Sequence, residues 1–372
     1  MTRWREPIER MLRRIDDTAA RVKDAFPHWS DPATGQWVTT PHGDWTGGCW
    51  VGMLWGAHAL TGERKHRELA GTLVERLRGR IDAETGFKSF PFYYAGAAGW
   101  IVARDAAARD VALACARAYR RLYRPSLRLV PLGEQAEEGS HIGPAETSID
   151  SLQTAPFLFW AAREGAPEVR DIAVSHAERV IALHLRPDGS FIQSSSLDPV
   201  TGELVKHYTH KGYSDTSTWG RAQAWGTLFS TMCFREESSR RAWLDAAVRG
   251  AEWWMRHVPA DRVAYWDFDD PAIPGTERDT AATAIAAAAL LKLALVAPEP
   301  DRARYRAFAE TTVDALTGRY LSPAGVLTES CFNKRPDARP MDAANRCEFI
   351  VGSYYLFETL LALDGTIAAA EI

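Results

Sequence analysis

Apolar residues recur every three or four positions along most of the chain, a spacing that predicts α-helices. About a dozen helical segments follow from this pattern: 6–25, 49–60, 64–80, 90–103, 106–123, 148–164, 167–185, 217–233, 239–257, 280–296, 301–316 and 347–363. Almost no strand-like alternation lies between them. We therefore expect an all-α protein.

The links between these helices alternate in length. Short links with Gly or Pro fall at 61–63, 164–167 and 297–301, and long polar ones at 124–147, 186–216, 259–279 and 320–346. Alternating short and long links predict a ring of helical hairpins whose long loops share one rim. The expected fold is an (α/α)6 barrel that forms a single domain over residues 1–372. The competing fold, an open α-solenoid, would show a repeat of about 34–47 residues, and none is found.

Charge and composition exclude several classes of protein. A net charge of −4 without a basic stripe argues against a nucleic-acid partner. The most apolar run, 281–297, contains Lys292 and fits a buried core helix better than a membrane span. The first residues carry no apolar signal segment, and the five cysteines are scattered without a CxxC pair. We therefore expect a cytoplasmic protein without membrane segments, disulfides or a thiolate zinc site, as a monomer or homodimer.

Aromatic residues are unusually frequent, with 14 Trp, 11 Tyr and 14 Phe. Their ring faces can stack on the C–H faces of sugars, so a carbohydrate cleft is one use for them. Their other use is to fill the core, and this second use is expected for most of the 14 Trp.

Two polar stretches near the beginning of the chain are candidates for a site. In the stretch 42–55, a Gly pair follows Trp45, which leaves Trp45 able to face a cleft; a helix cap with core aromatic residues is the alternative. In the turn 82–87, Glu84 is a candidate carboxylate, although turn carboxylates are usually only solvated. Functional residues concentrate on loops of this kind.

A third stretch, 146–160, places Asp150 at the start of an apolar helix. Asp150 lies three residues after Thr147, which fits a capping box. The functional alternative is a general acid, because an apolar surrounding favours the protonated form of a carboxyl group. The helix dipole would favour the anion instead, so both alternatives stay open.

The fourth stretch, 207–226, concentrates cationic and aromatic side chains. Arg221 and Trp225 are four residues apart on one helix face, and Trp219 lies just before them. Together with His207 and His210, this set suits a planar anion such as a carboxylate. The alternative is an internal Arg–Asp pair that joins neighbouring helices. These histidines and His42 lack zinc-site spacing, so no metal is expected.

Together with 265–274 and Arg278-Asp279, these four stretches resemble the unsaturated glucuronyl hydrolases, glycoside hydrolase family 88, from Trp45 to Leu361. The resemblance implies an (α/α)6 barrel that needs neither metal nor cofactor. It implies that Asp150 protonates the C4=C5 double bond of a 4,5-unsaturated uronic acid and activates the water that adds at C5. The resulting hemiketal opens and releases the aglycone.

The chain departs from the family pattern at three positions. Glu84 stands where the family has aspartate, Gln193 where it often has histidine, and Lys211 where it has glutamine. We expect Asp150 and Glu84 to be catalytic and Lys211 to pair with either Glu84 or the substrate's acidic group. The expected substrate-binding residues are Trp45, Gln193, His210, Lys211, Trp219, Arg221 and Trp225.

Three functions are compatible with these residues. The first is a glycosidase that hydrates the enol ether of an unsaturated, acidic sugar or oligosaccharide. The second is a hydratase, dehydratase or lyase that uses the same acid on an unusual sugar intermediate. The third is a sugar-binding protein without catalysis. Replacement of Asp150 by Asn would abolish turnover in the first two cases and preserve binding in all three.

Overall fold

The computed structural model describes residues 2–137 and 142–371. Its helices are α1 (Arg5–Val22), α2 (Gly47–Thr61), α3 (Arg64–Leu77), α4 (Ser89–Pro91), α5 (Ala98–Ala103), α6 (Ala106–Leu122), α7 (Thr154–Glu164), α8 (Arg170–His184), α9 (Gly220–Glu236), α10 (Arg241–His257), α11 (Thr280–Val296), α12 (Asp301–Arg319) and α13 (Ile350–Asp364). A π-helical segment, Phe92–Ala97, joins α4 to α5 into one run, and the 3-10 helix Ile149–Gln153 leads into α7. Most of these bounds lie within three residues of those predicted.

The helices form six antiparallel hairpins that close into a ring. The inner members are α2, the α4–α5 run, α7, α9, α11 and α13, each packed against the next and the last against the first. The outer members are α3, α6, α8, α10, α12 and α1. This arrangement confirms the expected (α/α)6 barrel.

Burial explains which helices are inner and which are outer. Almost every residue of α11 and α13 is buried, as expected of helices that are covered on all sides. The outer helices α1 and α10 instead bury one stripe each. Small residues let the inner helices approach closely, since a Cβ on Gly52 would lie 2.5 Å from the Tyr354 ring.

The structure adds two small antiparallel sheets that the hydrophobic pattern did not predict. One has the order β2 (Trp37–Thr40), β1 (Phe26–Ser30), β6 (Glu348–Phe349), and the other β3 (Glu146–Ser148), β4 (Ser194–Leu197), β5 (Leu204–Tyr208). Strands of two to five residues are too short to show a period in the sequence. The β3–β4 pair joins the predicted long loops 124–147 and 186–216, and the β1–β6 pair joins the segments before α2 and α13, so these loops share one rim.

Residues 138–141 of the predicted loop 124–147 lie outside the described residues. Across 2–137 and 142–371, no helix combines the length and the apolar character needed to cross a membrane. The apolar run at α11 is a core helix, in which Lys292 is buried and contacts Glu358 at 2.7 Å.

Candidate active site

Asp150 lies in the 3-10 helix Ile149–Gln153 at the loop-bearing rim and is only 4% exposed. The cap of this helix is Ser148, whose Oγ accepts a hydrogen bond from Ser151 N at 3.4 Å. A capping box between Thr147 and Asp150 is therefore wrong. The neighbouring Ile149 N–H donates to the Gln193 carbonyl at 2.8 Å, which ties the Asp150 helix to the residue just before β4.

His176 supports the Asp150 helix from α8, and sequence reasoning missed it. Its Nδ1 accepts a hydrogen bond from Val130 N at 3.1 Å, so its Nε2 carries the proton and donates to the Ser151 carbonyl at 2.8 Å. Burial lowers the pKa of His176 to about 4, which keeps the ring neutral. A histidine on an amphipathic helix gives no sequence signal for such a role.

The turn that carries Glu84 is fixed against the same helix. The Gly86 carbonyl accepts hydrogen bonds from Tyr119 Oη at 2.7 Å and from Thr154 Oγ1 at 3.3 Å, one turn after Asp150. The buried Lys88 ammonium donates to the carbonyls of Ile81 and Ala83 and holds the other side of the turn. The turn is therefore rigidly positioned beside the Asp150 helix.

The Glu84 side chain itself is exposed to solvent. Its backbone N–H donates to Gln135 Oε1 at 2.9 Å, but its carboxylate makes no hydrogen bond or ion pair with any described residue. Gly133 lies directly against the Glu84 backbone. Its φ is +83°, and a Cβ added to it would lie only 2.3 Å from the Glu84 carbonyl oxygen. The turn and the loop around Gly133 are thus in backbone contact, and the carboxylate is left facing outward.

Trp45 and Lys211 lie together inside the rim. The Lys211 Nζ is 5.1 Å from the centre of the Trp45 ring and 4.8 Å from that of Phe332, and its side chain is almost fully buried. These are cation–π distances. No ion pair joins Lys211 to Glu84, both of which the structure describes, so the pairing of these two residues is wrong.

Gln193 holds the loop that carries Lys211. Its Oε1 accepts hydrogen bonds from Thr209 Oγ1 at 2.5 Å, His210 N at 2.9 Å and Lys211 N at 3.0 Å. The Gln193 oxygen is therefore fully used within the protein. Its buried Nε2 has no hydrogen-bond partner among the described residues and is the atom left to serve a ligand.

His210 is half-buried on the outer side of this loop. Its ring packs edge-on against Tyr208, and its Nε2 lies 3.1 Å from the Tyr208 hydroxyl. That hydroxyl donates to the Glu146 carboxylate on β3, four residues before Asp150. Burial raises the pKa of Glu146. His210 thus belongs to a polar group that connects to the strand leading into Asp150.

Arg221 differs from the expected ligand for a substrate carboxylate. It has no exposed surface, and its Nη1 donates to Asp279 Oδ2 at 2.5 Å and to the Cys331 carbonyl at 2.6 Å. Its Nη2 donates to the Phe332 carbonyl. The structure therefore supports the alternative, an internal Arg–Asp pair that ties α9 to the start of α11 and to the loop before α13.

The two tryptophans near Arg221 are also core residues. Trp219 lies under the Arg221 guanidinium at 4.4 Å and is almost fully buried. Trp225 has no exposed surface, because it stacks on Phe229 at 5.0 Å and meets Phe90 edge-on. Neither presents a solvent-exposed ring face to a sugar, so their expected stacking role is not seen; for them the core-filling alternative holds.

A group of buried charges behind Trp45 was not found from the sequence. Asp44 accepts a hydrogen bond from Trp45 N at 2.6 Å, and His28 Nδ1 lies 2.7 Å from Thr46 Oγ1. Asp342 is the further buried acid, 3.5 Å from His28 Nε2. The only sequence signal was Asp44 beside Trp45. Among the described residues, no cluster of His, Cys, Asp and Glu has the arrangement of a metal site.

The rim therefore brings together the buried carboxyl group of Asp150, the lysine between two aromatic rings and the exposed carboxylate of Glu84. A buried carboxyl group can donate a proton, and a lysine between aromatic rings can bind an anion. Together they suit an acid-catalysed reaction on an anionic ligand.

Known proteins are similar to this chain over nearly its whole length. The chain is 33% identical over 377 residues to an unsaturated glucuronyl hydrolase of Bacillus sp. strain GL1, with 97% of each chain covered. It is 29% identical to an unsaturated chondroitin disaccharide hydrolase of Streptococcus pyogenes serotype M1, over 96% of this chain and 90% of the relative. No family model matches the chain.

Solved structures share the fold. The crystal structure of the unsaturated glucuronyl hydrolase of Bacillus sp. GL1 superposes with a TM-score of 0.89 at 31% identity, covering 97% of both chains. That of an unsaturated glucuronyl hydrolase specific for heparin superposes with a TM-score of 0.87 at 25% identity, covering 98% of both. Sequence identity along nearly the whole of both chains and a common barrel show that this chain belongs to the unsaturated glucuronyl hydrolase family, whose members are glycoside hydrolases.

Proposed function

We propose that the protein hydrolyses a short oligosaccharide that ends in a 4,5-unsaturated uronic acid, with Asp150 as the proton donor. Relatives named for unsaturated glucuronyl groups and for unsaturated chondroitin disaccharides support this substrate class. A solved relative with 31% identity is described with dGlcA-Glc-Rha-Glc, and the relative from Bacillus sp. GL1 is described as responsible for glycosaminoglycan degradation.

The chemistry requires one acid and one water molecule. The C4=C5 double bond of such a sugar is conjugated with the ring oxygen, so it is a vinyl ether. A proton from Asp150 forms a C–H bond at C4, and the positive charge that develops at C5 is shared with the ring oxygen. Water adds at C5 and returns a proton to the Asp150 carboxylate. The hemiketal then opens and the aglycone leaves, so one water molecule is consumed overall.

The single observation that supports this role is the burial of Asp150 at the rim of a family barrel. Removal from water favours the neutral form of a carboxyl group, which is the form that donates a proton. Asp150 is 4% exposed, and His176 and Gln193 hold the helix that carries it. A fixed, largely desolvated carboxyl group is suited to the protonation of carbon.

The surrounding residues take supporting roles in this proposal. Lys211, held between the rings of Trp45 and Phe332, binds the uronate carboxylate. His210 and the Nε2 of Gln193 contact sugar hydroxyls. Glu84 acts as the second carboxylate, because its turn is bonded to the Asp150 helix and its side chain is exposed where a ligand enters.

An absorbance assay tests the proposal. Unsaturated disaccharides lose the ultraviolet absorbance of their conjugated enol carboxylate when they are hydrolysed, and one aglycone appears for each sugar consumed. Absorbance loss without release of an aglycone would favour a hydratase or lyase instead. Asp150→Asn should abolish turnover and preserve binding, whereas the control Asp171→Asn, an exposed residue on α8, should behave as the wild type. Turnover by Asp150→Asn would exclude Asp150 as the acid.

We further propose a cytoplasmic location. The five cysteines are all buried and free, which is compatible with a reducing compartment. We propose a monomer or homodimer that forms one domain, to be measured by light scattering. Separation of the cell fractions and detection of the protein outside the cytoplasm would contradict the proposed location.

A further inference from the structure

A group of buried charges lies directly behind Trp45 and Lys211, and the mechanism above does not use it. We call it the charge cluster: it consists of Asp44, Glu137, Asp342, Arg80, Arg339 and His28. The members come from β1, the loop before α2, the 3-10 helix Arg78–Arg80 after α3 and the loops around 137 and 340. Five separate segments of the rim thus contribute charges to one place.

Asp44 connects the charge cluster to Trp45. Its backbone is in the left-handed region, with φ +47°, which non-glycine residues rarely adopt. Its Oδ1 accepts a hydrogen bond from Trp45 N at 2.6 Å, and its Oδ2 lies 3.8 Å from Arg339 Nη2. A change in charge near Asp44 therefore acts on the residue whose ring covers Lys211.

Glu137 and Arg80 form the other half of the charge cluster. The Arg80 guanidinium pairs with Glu137 through Nη2 and reaches the His42 carbonyl, two residues before Asp44, at 3.5 Å through Nη1. The Glu137 side chain is 15% exposed, and its buried Oε2 has no hydrogen-bond partner among the described residues. Such an oxygen is well placed to carry a proton, because ionisation leaves it poorly solvated.

Among the described residues, this group contains three cations and three acids when all of its acids are ionised. With Lys211, the cations are Arg80 and Arg339, and the acids are Asp44, Asp342 and Glu137. His28 contacts Asp342 at 3.5 Å. Ionisation of Glu137 therefore adds one negative charge to the surroundings of Lys211, whether or not His28 is protonated.

Titration of Glu137 falls in the neutral range. Burial and the charge of Asp44 raise the pKa of Glu137 to about 7, against the opposing effect of Arg80. Burial also raises the pKa of Asp44, whereas His28 and Arg339 keep the pKa of Asp342 low despite its burial. Glu137 is thus a member of the charge cluster whose charge changes near pH 7.

We propose that Glu137 is a specificity-determining residue that sets the charge behind Lys211 and so controls how tightly the site holds an anionic sugar. Protonated Glu137 leaves the cluster more positive and favours a uronate, and ionised Glu137 weakens its binding. This inference rests on the proposed function, because it takes the substrate to be an unsaturated uronate. Glu137 acts through Arg80, Asp44 and Trp45, so it is a positioning residue and not a proton donor.

The pH dependence of KM tests this inference. A uronate carboxylate stays ionised above about pH 5, so its own charge does not change in the range of interest. For wild type, KM for an unsaturated disaccharide should rise about three- to tenfold between about pH 6 and pH 8, because ionised Glu137 adds one negative charge to the charge cluster. KM for the uncharged amide of the same sugar should stay flat.

Two variants complete the test. Glu137→Gln should give a KM for the acid that no longer depends on pH while kcat keeps its wild-type pH profile. Glu134→Gln, an exposed residue of the same loop, is the matched control and should keep the wild-type rise. A rise in KM that persists in Glu137→Gln, or that is equal for the acid and the amide, would overturn the inference.

A measurement that needs no substitution in the charge cluster covers the case in which Glu137→Gln does not fold. Calorimetry of the disaccharide binding to Asp150→Asn, in buffers of different ionisation enthalpy near pH 7, should show uptake of a fraction of a proton because binding of the anion draws Glu137 towards its protonated form. Absence of proton uptake overturns the inference. If the wild type turns over the unsaturated disaccharide with a KM that does not change with pH, this inference alone is overturned. Absence of turnover on every unsaturated uronoside overturns the proposed function on which it rests.

Discussion

Arg221→Met separates the two roles that the sequence left open for this arginine. In the structure Arg221 pairs with Asp279, and neither side chain has any exposed surface. The substitution keeps much of the apolar volume and removes the guanidinium. If Arg221 is a structural residue, the main effect is on the free energy of unfolding; if it is a ligand, the main effect is on KM.

The size of the effect follows from the groups that are left behind. Without the guanidinium, Oδ2 of Asp279 and the carbonyl oxygens of Cys331 and Phe332 lose the donors that Arg221 supplied in a dry environment. Breaking a buried ion pair by removal of one partner costs about 3–5 kcal/mol. Asp279 keeps three backbone donors, those of Ala281, Ala282 and Cys331, so we expect a loss near the lower value, about 3 kcal/mol.

Urea unfolding followed by circular dichroism measures this loss. The control is Arg306→Met on α12, where the pair with Glu310 at 2.9 Å is exposed to solvent and contributes about 0.5 kcal/mol or less. At urea concentrations well below the unfolding midpoint, the KM of Arg221→Met should differ from that of the wild type by less than about threefold. Wild-type stability together with a KM raised more than about tenfold would refute the structural role and restore Arg221 as a ligand.

Three further predictions concern pH, loop support and metals. Burial lowers the pKa of both His176 and His184 to about 4, so the unfolded chain takes up protons first as pH falls below about 6.5. Stability should therefore fall by about 1–2 kcal/mol per histidine between about pH 7 and pH 5, and His176→Gln should remove its share of this slope in urea titrations; an unchanged slope would contradict a neutral His176. Gln193→Leu removes the acceptor that three donors of the 209–211 loop share, so it should cost about 1–3 kcal/mol and raise KM more than it lowers kcat, whereas an unaltered KM would separate this loop from binding. Activity should survive exhaustive EDTA treatment, and recovery only on addition of zinc would show the opposite.

The helical periodicity predicted most of the barrel because each element carries its own pattern. The apolar run of α11 and the bounds of α6 could be read locally, since propensity and amphipathic spacing act over one or two turns. The alternation of short and long links then left few ways to arrange the hairpins. The strands escaped prediction because pairs such as β1 and β6 join residues more than 300 positions apart.

The sequence also supplied the candidates for the site, but it did not show whether each side chain is buried or which groups it contacts. Residue type and spacing brought out Asp150 and Arg221, and the resemblance added Lys211 and gave Asp150 its role. Whether an arginine faces a ligand or a buried aspartate depends on which loop lies over it. Only the tertiary structure could therefore show that the Arg221 guanidinium is used by Asp279.

Burial and electrostatics were decided by tertiary contacts alone. Glu84 and Glu137 are the same residue type, yet one carboxylate faces solvent and the other lies beside Asp44 with a pKa raised to about 7. Desolvation and the fields of distant charges cause this difference, and both depend on the folded surroundings of a group. The sequence by itself determined the fold and the family and supplied Asp150 as the candidate acid; the tertiary structure decided which of the neighbouring charges are exposed, paired or able to titrate.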